Sequence, residues 1–183
     1  MAGFQKATRK RVFLKLAVTG ASGSGKTYSA LRLAKGISNK VALIDTENGS
    51  ASLYADRFDF DTLDIKPPFN DFKKFIDAIE LAAKEGYEVI IIDSASHFWE
   101  GILEFKDKLD RRGGNSYTNW GEAGQHFKDI IAAVLQSQIH VIACMRSKID
   151  YIIEKNAEGK SIPKKVGLAP IMRDGIEYEF TTV

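Results

Sequence analysis

The chain has 183 residues, 44% of them hydrophobic and 27% charged, the composition expected of one globular domain able to bury a sizeable core. Its single cysteine, Cys144, excludes an internal disulfide. No apolar run approaches the roughly 20 residues of a membrane span, and no cleavable leader pattern opens the chain, so the cytoplasm is the expected location, without membrane association. The net charge of +2 is unevenly spread: residues 1–15 hold +5 and residues 146–174 hold +3, leaving the remainder at −6, so a polyanion has two basic segments to meet, although each alone is also ordinary solvated surface.

In chain order, residues 12–19 read as a buried strand and residues 26–37 as a helix with Ala30, Leu31, Leu33, Ala34 and Ile37 near one face. Residues 41–45 form a second strand and residues 62–65 a short third one, ended by Pro67-Pro68. Asn70 is the expected N-cap of a helix carrying Phe72, Phe75, Ile76, Ile79, Ala82 and Ala83 at close to helical spacing, and Gly86 stops it. Residues 88–93 are a strand whose consecutive β-branched residues imply burial on both faces. Asn119 and Glu122 suggest a capping box that opens a helix with Phe127, Ile130, Ile131, Val134 and Leu135. Residues 139–145 are the next strand, with Cys144 as a small buried side chain, and residues 177–183 the expected last one. No repeat, low-complexity segment or linker interrupts the pattern. Strands alternating with helices imply parallel crossovers, hence an α/β three-layer sandwich with a mostly parallel central sheet, whose chemistry lies beyond the carboxyl ends of the strands.

Gly20-Ala21-Ser22-Gly23-Ser24-Gly25-Lys26-Thr27 matches G-x-x-x-x-G-K-[ST] between a strand and a helix, with Tyr28 next in line. Glycines let the backbone curl so that several N–H groups converge on phosphate oxygens, and the helix N-terminus favours an anion. Lys26 reaches the β- and γ-phosphates and the Thr27 hydroxyl suits Mg²⁺, so ATP with magnesium is the expected ligand. Asp93 ends the run Val89-Ile90-Ile91-Ile92, the position of a carboxylate that holds magnesium directly or through its water. Glu47, in Ile44-Asp45-Thr46-Glu47-Asn48, follows the second strand and is the candidate to orient or deprotonate a water; Asp45 is its competitor, and Glu100 lies farther past its strand. His97, His126 and His140 show no zinc spacing with one another or with Cys144. His97 reads as packing, or as a link between the nucleotide site and the helix after it.

The phosphate loop, the Ile-Asp-Thr-Glu-Asn after the next strand and the Ile-Ile-Ile-Asp-Ser beyond it resemble RecA-like recombination ATPases, which place a catalytic Glu after the second strand, where Glu47 stands. Residues 20–27, 41–54, 115–122, 145–148 and 163–170 together resemble phage-encoded AAA-type ATP-binding proteins, among them RecA-like single-strand annealing proteins of phage and prophage recombination modules. The resemblance covers nearly the whole chain; its phosphate loop and Asp93 element are generic and the later segments more specific. It implies one RecA-like P-loop ATPase domain over residues 1–183, with residues 1–11 as a basic N-terminal segment. It also implies a homo-oligomeric ring or filament, a single-stranded-DNA-binding protein as a further partner, and the bacterial host cytoplasm as the compartment. Relatives continue past Val183, so either a C-terminal extension is missing or the protein is short.

RecA-like proteins contact single-stranded DNA through two mobile loops, here expected at residues 110–119 and 147–173. The first offers Arg111 and Arg112 to phosphates and Tyr117 or Trp120 to bases; the second offers Lys148, Tyr151, Lys155, Lys160, Lys164 and Lys165. Read from the residues alone, both are equally ordinary polar loops. With so small a basic excess, DNA affinity per chain should be modest and salt-sensitive, and assembly would multiply it. Arg146 directly follows a strand and is a candidate γ-phosphate sensor in its own chain; Arg173 is a candidate arginine finger toward a neighbour. Each is also readable as a plain surface arginine. Two other functions fit the same motifs: a P-loop kinase of a small metabolite, with residues 111–119 as a lid, and a DNA-coating module that holds ATP without hydrolysing it.

Overall fold

A computed structural model describes Lys6, residues 12–155 and residues 160–183; the rest of the basic segment at residues 1–11 lies outside the described residues. The regular elements are β1 (Lys15–Gly20), α1 (Lys26–Ile37), β2 (Val41–Asp45), β3 (Asp61–Asp64), α2 (Phe72–Lys84), β4 (Val89–Asp93), α3 (Ser96–Arg112), α4 (Ser116–Gln136), β5 (His140–Lys155) and β6 (Ser161–Pro170). Short 3-10 turns at Ser50–Tyr54 and Ile176–Tyr178 complete the order.

The strands lie parallel in the order β1-β5-β4-β2-β3, with β6 pairing antiparallel to β5. Strand alternation sorts the core into two layers. Ile44, Ile90, Ile92, Val141, Ala143 and Met145 face α2, α3 and α4, where Phe75, Ile79, Phe98, Ile102 and Ile130 close the layer. Leu43, Val89, Ile91, Ile142 and Cys144 face the other way, onto Ala30, Leu31 and Ala34 of α1. The three-layer α/β sandwich expected from the alternation of elements is therefore the one observed. Cys144 is fully buried, and burial pushes its thiol well above the usual range.

Several boundaries differ from the expected ones. Asp71, one residue beyond Asn70, stands at the N-cap of α2. α4 opens at Ser116, where Asn115 Oδ1 accepts from Tyr117 N at 2.8 Å; Asn119 falls inside the helix and donates to Asp110 Oδ1 at 2.8 Å, tying α4 to α3. The break comes from Gly113 and Gly114, both at positive φ, so the expected loop at residues 110–119 shrinks to a tight corner between two helices. The last strand is not a strand: residues 177–183 begin in a 3-10 turn and meet β1 at one parallel bridge, Leu16 to Thr182, where the Thr181 hydroxyl also donates to Lys15 O at 2.9 Å. Lys15, counted with the basic surface, is instead buried. Its ammonium donates to Ser137 O (2.9 Å), Ser137 Oγ (2.7 Å) and Ile139 O (2.9 Å), pinning the end of α4 to β1, and burial lowers its pKa to about 8.

The largest departure lies in residues 147–173. The first part of β5 pairs with β1 and β4 inside the sheet; the strand then continues past its neighbours and folds against β6 as a two-stranded ribbon. Every described ribbon residue from Lys148 to Leu168 except Glu154 is exposed, with a register shift at Asp150/Tyr151.

Candidate nucleotide-binding site

The parallel register brings the carboxyl ends of the strands into a row. Gly20 lies opposite Arg146, Asp93 opposite Cys144, and Asp45 opposite Asp93. Strand β5 is thus inserted between the phosphate-loop strand and the strand ending in Asp93. Beyond this row lies an open cavity of about 560 Å³, walled by Gly23, Lys26, Thr27, Glu47, Asp93 and Arg146. Another of about 500 Å³ lies between α4 and residues 173–179, away from the strand ends and the phosphate loop.

The loop at residues 20–27 curls because Gly23 (φ 73°) and Gly25 (φ 86°) adopt left-handed backbone, which side chains disfavour. Gly25 also caps α1, aiming that helix terminus at the cavity. Lys26 Nζ arches back over the loop and donates to the carbonyls of Gly20 (3.0 Å) and Ala21 (2.8 Å), and Ser24 N donates to Ala21 O (3.3 Å). Ser22 also lines the cavity. Tyr28 packs against Tyr54 and Phe58 at centroid distances of 6.0 and 5.3 Å, and Tyr54 is the ring of this cluster that lines the cavity.

Thr27 Oγ1 donates to Asp93 Oδ2 at 2.5 Å, joining the two residues read as a magnesium pair. Asp93 is almost fully buried. Burial, ahead of every other influence, raises its pKa; Thr27 opposes the shift and the nearby Glu47 and Asp45 add to it. Two hard oxygens on an electronegative ledge beside a phosphate loop suit a cation that keeps waters and shares phosphate oxygens.

Asp45 and Glu47, the two acids after β2, differ in their hydrogen bonding. Asp45 is buried, and its two carboxylate oxygens accept from Glu47 N (2.7 Å) and Ala51 N (3.0 Å), so it shapes the loop. Glu47 projects into the cavity and is gripped by Arg146, whose Nε and Nη2 reach Oε1 and Oε2 at 2.9 and 2.7 Å. That forked hydrogen bond is the main reason the Glu47 carboxyl titrates below its ordinary range.

A buried polar network that sequence reasoning only brushed supports this row. Thr46 Oγ1 accepts from Ser94 N (2.7 Å) and lies 2.6 Å from His97 Nδ1; the His97 ring stacks on Phe69 at 4.6 Å, and burial lowers its pKa. Ser96 Oγ accepts from Arg146 N (2.9 Å). These small hydroxyl residues sit beside strand ends without any spacing signature. Their adjacency to charged neighbours after β2 and β4 was the available clue. The link expected of His97, between the site and α3, runs through Thr46. The peptide Asp93–Ser94 is cis. His126 packs between Phe72 and Phe105, and His140 Nδ1 accepts from Leu14 N at 2.9 Å.

The remaining predicted residues stand apart from the cavity. Arg173 lies over the Phe127 ring at 5.3 Å, outside the nucleotide cavity of its own chain. Arg111, Arg112 and Tyr117 are exposed at the α3–α4 corner, and Trp120 stacks on Trp99 beneath Lys106. Phe72, at the start of α2, touches Phe105 and His126, whereas α4 must end at the opposite edge to enter β5. Lys148, Lys164 and Lys165 lie exposed on the ribbon, which rises from Arg146 and Ser147 at the cavity wall; Lys164 pairs with Glu154 at 3.0 Å.

No helix among the described residues is long and apolar enough to cross a membrane. Nor do three or more His, Cys, Asp or Glu residues converge there as a metal cluster. No curated protein matches the sequence. The family model described as AAA domain matches residues 13–183, from before β1 through the phosphate loop and ribbon to the end of the chain, and the chain belongs to that family of nucleotide-binding ATPase domains.

Proposed function

We propose that this protein is a RecA-type ATPase that binds Mg-ATP and couples its hydrolysis to single-stranded DNA held on the β5–β6 ribbon. One observation carries the reading: Lys26, Thr27, Asp93, Glu47 and Arg146 surround a single cavity, and the lysine-bearing ribbon rises from its wall. The loop amides and Lys26 hold the β- and γ-phosphates. Mg²⁺, held by Thr27 and Asp93 together with phosphate oxygens, would neutralise charge developing on the transferred phosphoryl group. Glu47 orients the attacking water and accepts its proton. Tyr54 offers a ring against which a base can stack.

On the ribbon, Ile149, Tyr151, Ile153 and Leu168 fall on one face by register and alternation, beside Lys165, while Lys148, Asp150, Glu154 and Lys164 take the other, together with Ile152 and Ile162. The first face presents stacking surface and cation together, as single-strand binding requires. The exposed Arg111, Arg112 and Tyr117 at the α3–α4 corner supply a second contact. Assembly of several chains in a ring or filament adds these weak contacts together.

The test is ATP hydrolysis with and without an oligothymidine strand, at two salt concentrations, beside Lys26→Ala. DNA stimulation that fades with salt and disappears in Lys26→Ala supports the proposal. Hydrolysis indifferent to DNA would sink the coupling to DNA, and phosphate transfer to an added acceptor without release of free phosphate would replace it with a kinase.

A further inference from the structure

Behind the cavity wall, Thr46, Ser94, Ser96 and His97 are buried, and hydrogen bonds join them into one network. We propose that His97 is a positioning residue for Glu47: its ring nitrogen accepts from the Thr46 hydroxyl, holds the turn after β2 in the form that hydrolyses ATP, and releases that turn when the ring takes up a proton. The inference rests on the reading of Glu47 given above, and concerns how its turn is held.

Thr46 directly precedes Glu47, so whatever fixes it fixes the point from which the carboxylate projects. Its backbone is tied to β4, where Thr46 N donates to Asp93 O at 2.8 Å. Its side chain has two alternatives. Oγ1 accepts from Ser94 N (2.7 Å), lies 2.6 Å from His97 Nδ1, and reaches Ser94 O at 3.2 Å. A hydroxyl has one proton to donate. With Nδ1 bare, that proton goes to the nearer partner, the ring. With Nδ1 protonated, the ring becomes the donor and the hydroxyl must turn to Ser94 O, which already accepts from His97 N at 3.2 Å. Protonation therefore reverses the bond that joins α3 to the turn bearing Glu47, and replaces a short contact with a longer, shared one.

The surroundings suit the ring to this role. It stacks on Phe69 with centroids 4.6 Å and planes 3° apart, so swinging out to water would break the stack. The charged groups around it come from three elements. Arg146 of β5 opposes a proton on the ring, whereas Glu100 of α3, and Asp45 and Glu47 at the end of β2, favour one. Burial is the largest influence and acts with Arg146, so the pKa is lowered: the ring is neutral at pH 7 and takes its proton below the ordinary histidine value of about 6.5. A ring that merely filled the space between Phe69 and Thr46 would leave the pH dependence of hydrolysis untouched.

The experiment measures steady-state ATP hydrolysis by the full chain, with oligothymidine present, between about pH 5 and about pH 8, for wild type, His97→Ala, His97→Asn, Thr46→Val and Glu47→Gln, beside the melting temperature of each. Wild-type kcat should fall at least about twofold from the neutral plateau to the acid end. At the plateau His97→Ala should lower kcat about tenfold while KM for ATP changes less than about threefold, the signature of a lost contribution to the chemical step. Asn places Oδ1 where Nδ1 stands and does not titrate, so His97→Asn should recover at least about threefold in kcat over His97→Ala and lose the fall toward acid. Thr46→Val removes the donor; it should match His97→Ala in kcat and show the same flat profile, and it gives the second reading if His97→Asn melts below the assay temperature. A wild-type profile without the acid fall, an acid fall kept in folded His97→Asn or Thr46→Val, or a His97→Asn rate no higher than that of His97→Ala overturns the proposal. Failure of the underlying reading shows separately, as full activity in Glu47→Gln.

Discussion

Gly101 of α3 packs directly on the backbone around Phe69, and replacing it with alanine tests whether the site depends on that packing. A Cβ at this position would lie 2.2 Å from the carbonyl oxygen of Phe69, 2.6 Å from its carbonyl carbon and 3.2 Å from Asn70 N. All three are backbone atoms, so no side-chain rotation relieves the overlap; α3 or the segment around Phe69 must retreat by about 1 Å to reach ordinary contact. Overpacking of this kind costs about 1–3 kcal/mol, and alanine's better helix propensity returns at most about 1 kcal/mol. A net loss of about 1–2 kcal/mol lowers Tm by roughly 2–8 °C in a domain of this length. Gly121, inside α4 with nothing within 4 Å of its would-be Cβ, is the matched control. Gly121→Ala should raise Tm by about 1–4 °C through propensity alone. Both are read by thermal unfolding with a far-ultraviolet circular dichroism signal. Because α3 carries Ser96 and His97 into the site, and His97 stacks on Phe69, Gly101→Ala should also lower the hydrolysis rate at a temperature where it is folded. Equal melting temperatures for Gly101→Ala and Gly121→Ala would refute the packing argument.

Further outcomes follow from the site. Glu47→Gln should retain ATP binding while hydrolysis falls about 10²–10⁴-fold, the usual contribution of a general base, as read by phosphate release beside nucleotide affinity. Asp93→Asn should separate stability from function. The Asp93 pKa is raised in the fold, so its contribution to stability is present below its unfolded value and lost as pH rises through the folded value; at pH 7 the charge destabilises, and its removal should raise Tm while abolishing magnesium-dependent hydrolysis. Glu47 has the opposite sign. Its pKa is lowered, so the pair with Arg146 stabilises above the unfolded value and fades as pH falls through the folded one. Breaking this half-exposed pair should cost about 0.5–1 kcal/mol at pH 7 and nothing once Glu47 is protonated, measured as urea midpoints across pH. Lys165→Ala should weaken DNA binding evenly across sequences and reduce the salt slope by about one, whereas Tyr151→Ala should weaken binding and leave the slope unchanged, as read by fluorescence anisotropy.

The sequence by itself determined the α/β class, the curl of the loop at residues 20–27 and the buried strand that ends at Asp93, because each depends on local chemistry. Loop curvature needs glycine at Gly23 and Gly25, a two-sided buried strand needs a run such as Val89-Ile90-Ile91-Ile92, and α2 announces itself through apolar spacing. Boundaries set by short-range competition were less legible: Asn119 with Glu122 looked like a cap, but the glycine pair before Asn115 had already broken the helix a turn earlier. The basic stretch that forms the outer part of β5 and β6 read as a loop because exposure on both faces leaves no alternation of burial to reveal a strand. Long-range contacts were out of reach of any local pattern. Only the tertiary structure buried Lys15 against Ser137, left the last strand as one bridge to β1, and engaged both Asp45 carboxylate oxygens with backbone N–H groups of the following loop. Only the parallel register of β1, β5, β4 and β2 brought Arg146 across 99 residues onto Glu47, because side-chain distance is set by which strands lie side by side in the sheet, and chain order does not specify that.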